Sequence, residues 1–120
     1  MLNFEIEKTV KPEFIQFTTI GSYAFDEMDE FLRFVKSEAD KAERVRVLID
    51  SSQIKGQMTE AERFQGGQMI ADIFGHRLKL ALIMPPGGVT KLGELTAVNR
   101  GARFLVTTSA TEAETWLLND

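Results

Sequence analysis

The sequence predicts an α/β fold, a mixed and mostly parallel five-stranded sheet with an N-terminal antiparallel hairpin and four helices, and three observations lead there. Two strand-like segments near the N-terminus are joined by a connection too short for anything but antiparallel neighbours. Beyond them, short aliphatic runs alternate with segments of helical apolar spacing, as in parallel strands linked by helical crossovers. The length of 120 residues, with 43% hydrophobic and 27% charged residues, suits one domain over residues 1–120 with its own core. The expected order is ββαβαβαβα.

Residues 4–9 place Phe4, Ile6 and Lys8 on one strand face, residues 13–20 are rich in Phe, Ile and Thr, and Lys11-Pro12 turns between them. Gly21-Ser22 is expected to end the second strand. Over residues 25–41, Phe25, Met28, Phe31, Leu32, Val35 and Ala39 form the stripe of an amphipathic helix, with Asp26 and Glu27 at its electropositive end. Val45, Val47, Leu48 and Ile49 read as a central strand covered on both faces and ending at Asp50-Ser51-Ser52.

Thr59 and Glu62 have capping-box spacing, which starts a helix near Glu60 with Phe64, Ile70, Ile73 and Phe74 on its buried side. Gly66-Gly67 inside that helix costs roughly 1 kcal/mol per glycine in propensity, and close packing against another backbone is the expected reason. Gly75 can stop the helix, and residues 78–84 read as a second buried strand. A loop at Pro85-Pro86-Gly87-Gly88 precedes a helix capped by Thr90 that carries Leu92, Leu95 and Val98. Gly101 ends it, residues 103–107 return to strand, and Ser109 with Glu112 caps a final helix bearing Ala113, Trp116 and Leu117.

The charge balance, 14 basic against 18 acidic residues for a net −4, gathers into no basic stripe, so nucleic acid is not an expected partner. No apolar run approaches a membrane span or a secretory signal, and the absence of cysteine suits a reducing compartment; a cytoplasmic location is expected. His76 is the only histidine and follows a helix stop, the position of a surface residue. With one histidine and no cysteine, a metal site would rest on Asp26, Glu27, Asp29 and Glu30, which read as a solvated helix face, and no metal or cofactor is implied. Pro86-Gly87-Gly88-Val89-Thr90 has the outline of a phosphate cradle but lacks the lysine and the glycine spacing of one, and reads as a plain strand-to-helix turn.

The segment Val47-Leu48-Ile49-Asp50-Ser51-Ser52 resembles the one that STAS domains, the sulfate-transporter and anti-sigma-factor-antagonist domains, carry at the end of their third strand. In the bacterial antagonists that strand ends in an Asp-Ser-Ser-Gly-Leu-Gly turn whose first serine is phosphorylated by the anti-sigma partner, which weakens binding. Asp50 and Ser51 match its first two positions. Where the pattern has Gly-Leu-Gly, this chain has Gln53-Ile54-Lys55-Gly56 and a cap only at Thr59, which favours Ser51 as a strand-end turn residue over a phosphorylated one. Over nearly the whole chain the ordered elements are similar to the SpoIIAA-like subgroup of bacterial proteins, through the Asp-terminated strand, the Leu-to-Met strand before a loop and the closing Ala102-Arg103-Phe104 strand.

That resemblance implies a non-enzymatic regulatory or scaffold module that binds a protein, as in an anti-sigma-antagonist switch, or pairs with a second copy. The switch would centre on Ser51 with Asp50 and Ser52, and Lys55 and Arg63 are the cations available to meet a phosphate. The partner surface would lie within residues 50–74, where Ile54, Lys55, Gln57, Met58, Arg63 and Gln65 mix apolar and adaptable polar groups. The alternative is a carrier of a small apolar ligand such as a lipid, held between helices and sheet and lined by Met and Phe. An enzyme would require Ser51 or Ser52 to meet His76 within hydrogen-bond reach.

Overall fold

The alternation read from the sequence appears in the computed structural model, which describes residues 4–86 and 91–119, as nine elements. They are β1 (Phe4–Val10), β2 (Ile15–Ser22), α1 (Met28–Lys41), β3 (Arg46–Lys55), α2 (Glu60–Phe74), β4 (Lys79–Ile83), α3 (Leu92–Asn99), β5 (Arg103–Thr107) and α4 (Ala110–Leu118). The strands pair in chain order, β1 antiparallel to β2 and the remaining pairs parallel, as expected. Crossovers between parallel strands are right-handed, so an order that advances one strand at a time puts every connecting helix on the same side. Helices α1, α2 and α3 accordingly share one face, where Phe31, Val35, Ile70 and Ala97 meet Phe17, Val47, Ile49 and Leu80. Helix α4 follows the last strand and covers the other face, packing Ala113 and Leu117 on Phe14, Leu48, Ala81 and Ile83.

Local signals explain the boundaries. The capping box forms in both directions, the Glu62 amide donating to Thr59 Oγ1 at 3.1 Å and the Thr59 amide to Glu62 Oε1 at 2.9 Å. At Ser109 only half of it forms: the Glu112 amide donates to Ser109 Oγ at 3.1 Å, while the Ser109 amide turns to Thr107 Oγ1. Gly75 and Gly101 end α2 and α3 at φ of +60° and +95°, where a side chain would be strained. The cap expected at Thr90 and the glycines of the possible phosphate cradle lie outside the described residues; α3 opens from Lys91 with no side-chain cap.

Four expectations need correction. β2 runs through Gly21 to Ser22, and β3 continues past Asp50-Ser51-Ser52 to Lys55, because Gly21 and Ser22 keep pairing with Ile54 and Lys55. Glu27 is 9% exposed and does not belong to a solvated face; it closes a short 3-10 turn, Phe25–Glu27, before α1. Phe64 faces outward with Arg100 over its ring, 5.6 Å from the centroid. Leu95 and Val98, whose burial the sequence left open, are exposed on α3, which turns Thr96 and Ala97 inward. The reason is the α2–α3 contact: a methyl group on Gly67 would lie 2.5 Å from the Gly93 carbonyl oxygen and 2.9 Å from Thr96 Cβ. Only small residues fit so close a crossing, so Gly67 makes the backbone packing expected of the glycine pair, while Gly66 faces the Met28 side chain.

Candidate functional site

The site begins with an irregularity between β2 and β3. Thr18 pairs with Asp50 and Ile20 with Gln53, so the single residue Thr19 stands opposite both Ser51 and Ser52. One extra residue in one strand is a β-bulge, uncommon in a parallel pair. Asp50 stabilises it, with Oδ1 accepting from the Ser52 amide at 3.0 Å and the Ser52 hydroxyl at 2.7 Å. Ser51 points to the helical face, where its oxygen lies 2.8 Å from Thr19 Oγ1 in a buried hydroxyl pair.

Above that pair, between the sheet and α1–α3, is a cavity of about 120 Å³. Its walls are overwhelmingly apolar: Phe31 and Leu32 from α1, Ile70 from α2, Leu80 and Leu82 from β4, Phe104 and Val106 from β5. Gly66, Gly67 and Gly93 contribute backbone to the walls. Ile54, Met58, Arg63 and Met84 also wall a second hollow, of about 210 Å³, completed by Gly56, Gln57, Pro85 and Pro86.

Neither a family profile nor a curated protein sequence matches the chain. A solved structure does: an uncharacterized protein from the DUF3478 family with a SpoIIAA-like fold, from Shewanella loihica PV-4, aligns with a TM-score of 0.57. It is 14% identical, and the alignment covers 96% of this chain and 94% of that one. The fold of this chain is SpoIIAA-like. At that identity the likeness is one of architecture, and it agrees with the fold expected from the ordered elements.

Within this SpoIIAA-like frame the residues singled out from sequence separate. Ser51, 8% exposed, belongs to the cavity and lies inside a strand, not at a strand-end turn. Ser52 is exposed and held by Asp50 on the opposite side. Of the expected partner surface, Lys55, Gln57 and Gln65 are exposed, whereas Ile54, Met58 and Arg63 line the cavity. Arg63 is also held by Glu60, at 3.0 Å from Nη1.

His76 is exposed and precedes β4, whose Lys79 pairs with Arg46 at the start of β3. Ser51 lies five residues further along β3, on the order of 16 Å at ~3.3 Å per residue, so the serines and the histidine occupy opposite ends of the sheet. Among the described residues, no cluster of three or more His, Asp or Glu side chains could hold a metal ion, and no helix is long and apolar enough to cross a membrane.

Tyr23 was not singled out in the sequence, yet it carries the most unusual polar atom of the site. It lines the cavity, and its hydroxyl is sealed with no hydrogen-bond partner among the described residues. Burial pushes the phenol well above its ordinary range, Glu62 adds to the effect, and Arg63 opposes it. The only hint in the sequence is that this sole tyrosine follows Gly21-Ser22 at a strand end.

Proposed function

We propose that the chain is a non-enzymatic, STAS-like binding module that takes up one small molecule with an apolar body in the cavity between its sheet and α1–α3. The cavity carries this reading. Protein interiors are packed to crystal-like density, so space on this scale is unusual, and its about 120 Å³ approaches the ~150 Å³ of an apolar cavity that accepts benzene. The separation of Ser51 from His76 supports a binding role over serine chemistry. Native mass spectrometry of protein purified gently from its own cells is expected to find one small-molecule adduct per chain. Leu82→Trp, which would push an indole into the cavity, should retain the fold and lose the adduct. Wild-type protein with no adduct, and no molecule released on unfolding, overturns the proposal.

A second reading, a regulatory module that binds a protein partner or a second copy, is favoured by Phe64, Leu95 and Val98, exposed on the outer side of α2 and α3. In the same experiment it would appear as a co-purifying chain whose retention is unaffected by Leu82→Trp.

A further inference from the structure

The wall residues shared by the two hollows specify the ligand more closely, on the footing that the cavity takes up a ligand at all. We infer that the ligand is an amphipathic anion, its apolar chain in the inner cavity that Tyr23 lines and its carboxylate-type head toward the junction formed by Arg63, Ile54, Met58 and Met84. Three observations converge on that junction. The inner cavity has room for a body of roughly six carbons, judged against the ~150 Å³ that holds benzene. The Ser51 and Thr19 hydroxyls share one hydrogen bond of 2.8 Å, whereas the Tyr23 hydroxyl is sealed with no partner among the described residues. Arg63, whose side chain is 13% exposed, brings positive charge to the boundary between the inner cavity and the outer hollow.

The chemistry of those two groups selects the head. Tyr23 keeps its proton throughout the neutral range, because burial and the nearby Glu62 carboxylate both disfavour the phenolate, so it can donate to a ligand oxygen. A hydroxyl donor and a guanidinium form charge-assisted hydrogen bonds with an anionic oxygen, whereas the guanidinium repels an ammonium head. Glu60 is paired with Arg63 at 3.0 Å, and Glu62 accepts from the Thr59 amide at 2.9 Å. Methionine at two of the junction positions gives an opening that can adapt to a passing chain.

The test is a titration of methyl-labelled methionine protein with octanoate, octanol and octylammonium, followed by nuclear magnetic resonance. Met28, Met58 and Met84 line the cavity and Met69 does not, so the first three should shift while the fourth serves as an internal control. Octanoate is expected to bind about tenfold more tightly than octanol, the scale of one charge-assisted hydrogen bond, and octylammonium more weakly than either. Tyr23→Phe and Arg63→Gln should each reduce that preference, lowering octanoate affinity more than octanol affinity. Equal affinity for octanoate and octanol in the wild type, or a preference that survives Tyr23→Phe, overturns the head-group assignment while the uptake proposal stands. No methionine shift with any of the three overturns both.

Discussion

On the α4 side of the sheet, Ala113 and Leu117 are completely buried against Leu48, Ala81 and Ile83, whereas on the α1–α3 side three helices leave about 120 Å³ unfilled. The closed side is also tied electrostatically. The Lys79 ammonium, on a strand residue only 6% exposed, donates to the carbonyls of Trp116 and Asn119 at the C-terminus of α4 and lies 4.5 Å over the Trp116 ring. That end of a helix carries partial negative charge, so the lysine anchors α4 where α4 would otherwise fray. More helices therefore do not mean a fuller core. One helix with a large residue at the right position closes its face, while the roof of the other approaches through glycines that bring backbone close and supply no side-chain volume.

Truncation on each side tests this contrast most strongly. Leu117→Ala removes a fully enclosed side chain and should cost about 3 kcal/mol, the middle of the range for buried leucines. Met84→Ala should cost about 1 kcal/mol, because a side chain that already borders empty space forfeits fewer contacts. Urea denaturation of both variants gives the comparison directly. Equal losses would mean that the hollow side is packed as tightly in solution as the closed one.

The neighbouring glycines of α2 sharpen it further. A methyl at Gly67 meets the Gly93 carbonyl oxygen, which belongs to backbone and cannot yield cheaply, so Gly67→Ala should destabilise by about 2 kcal/mol. A methyl at Gly66 meets only the Met28 sulfur at 3.2 Å, the flexible part of a side chain beside the cavity. Gly66→Ala should therefore be neutral or gain up to about 1 kcal/mol of helix propensity. Thermal melts of the two variants should move in different directions, and a shared loss would mean that α2 has no slack on its cavity side.

These glycines also show what the sequence could and could not tell. The element order, the capping box at Thr59 and a close approach at one glycine of the Gly66-Gly67 pair were legible because each depends on local chemistry or on spacing along one segment. Phe64 was misplaced because periodicity reports which residues are apolar and not which are displaced when two helix backbones meet. The course of β3 was hidden for a related reason. Asp50-Ser51-Ser52-Gln53 has little intrinsic strand character, and the strand persists only because β2 continues beside it across the bulge. Ser51 could be recognised as notable from its motif, but its inward direction follows from that register. The cavity is a shortfall of volume summed over several elements, and no single segment encodes it.

The smallest expected effect isolates the hollow side with one atom. Tyr23 is the only tyrosine, so tyrosinate absorbance reports on it alone. As a whole the side chain is half-buried, but its hydroxyl oxygen is sealed and has no partner among the described residues, and Tyr23→Phe should raise stability at neutral pH by about 1 kcal/mol by removing that desolvated group. The pH dependence follows from the upward shift of the phenol. In the unfolded chain it titrates near 10, and in the folded protein it still holds its proton above that pH. Stability linked to Tyr23 is thus complete below about pH 10 and is lost as the pH rises above it, because there the unfolded state has released a proton that the folded state retains and gains by releasing it. Lysine ionisation affects wild type and variant alike, so the difference between their alkaline melts belongs to Tyr23. That difference should widen above about pH 10 in favour of Tyr23→Phe. A phenol that titrates in its ordinary range, with parallel melts for the two proteins, would mean that water already reaches the hydroxyl and that the hollow side is wetter than its apolar walls imply.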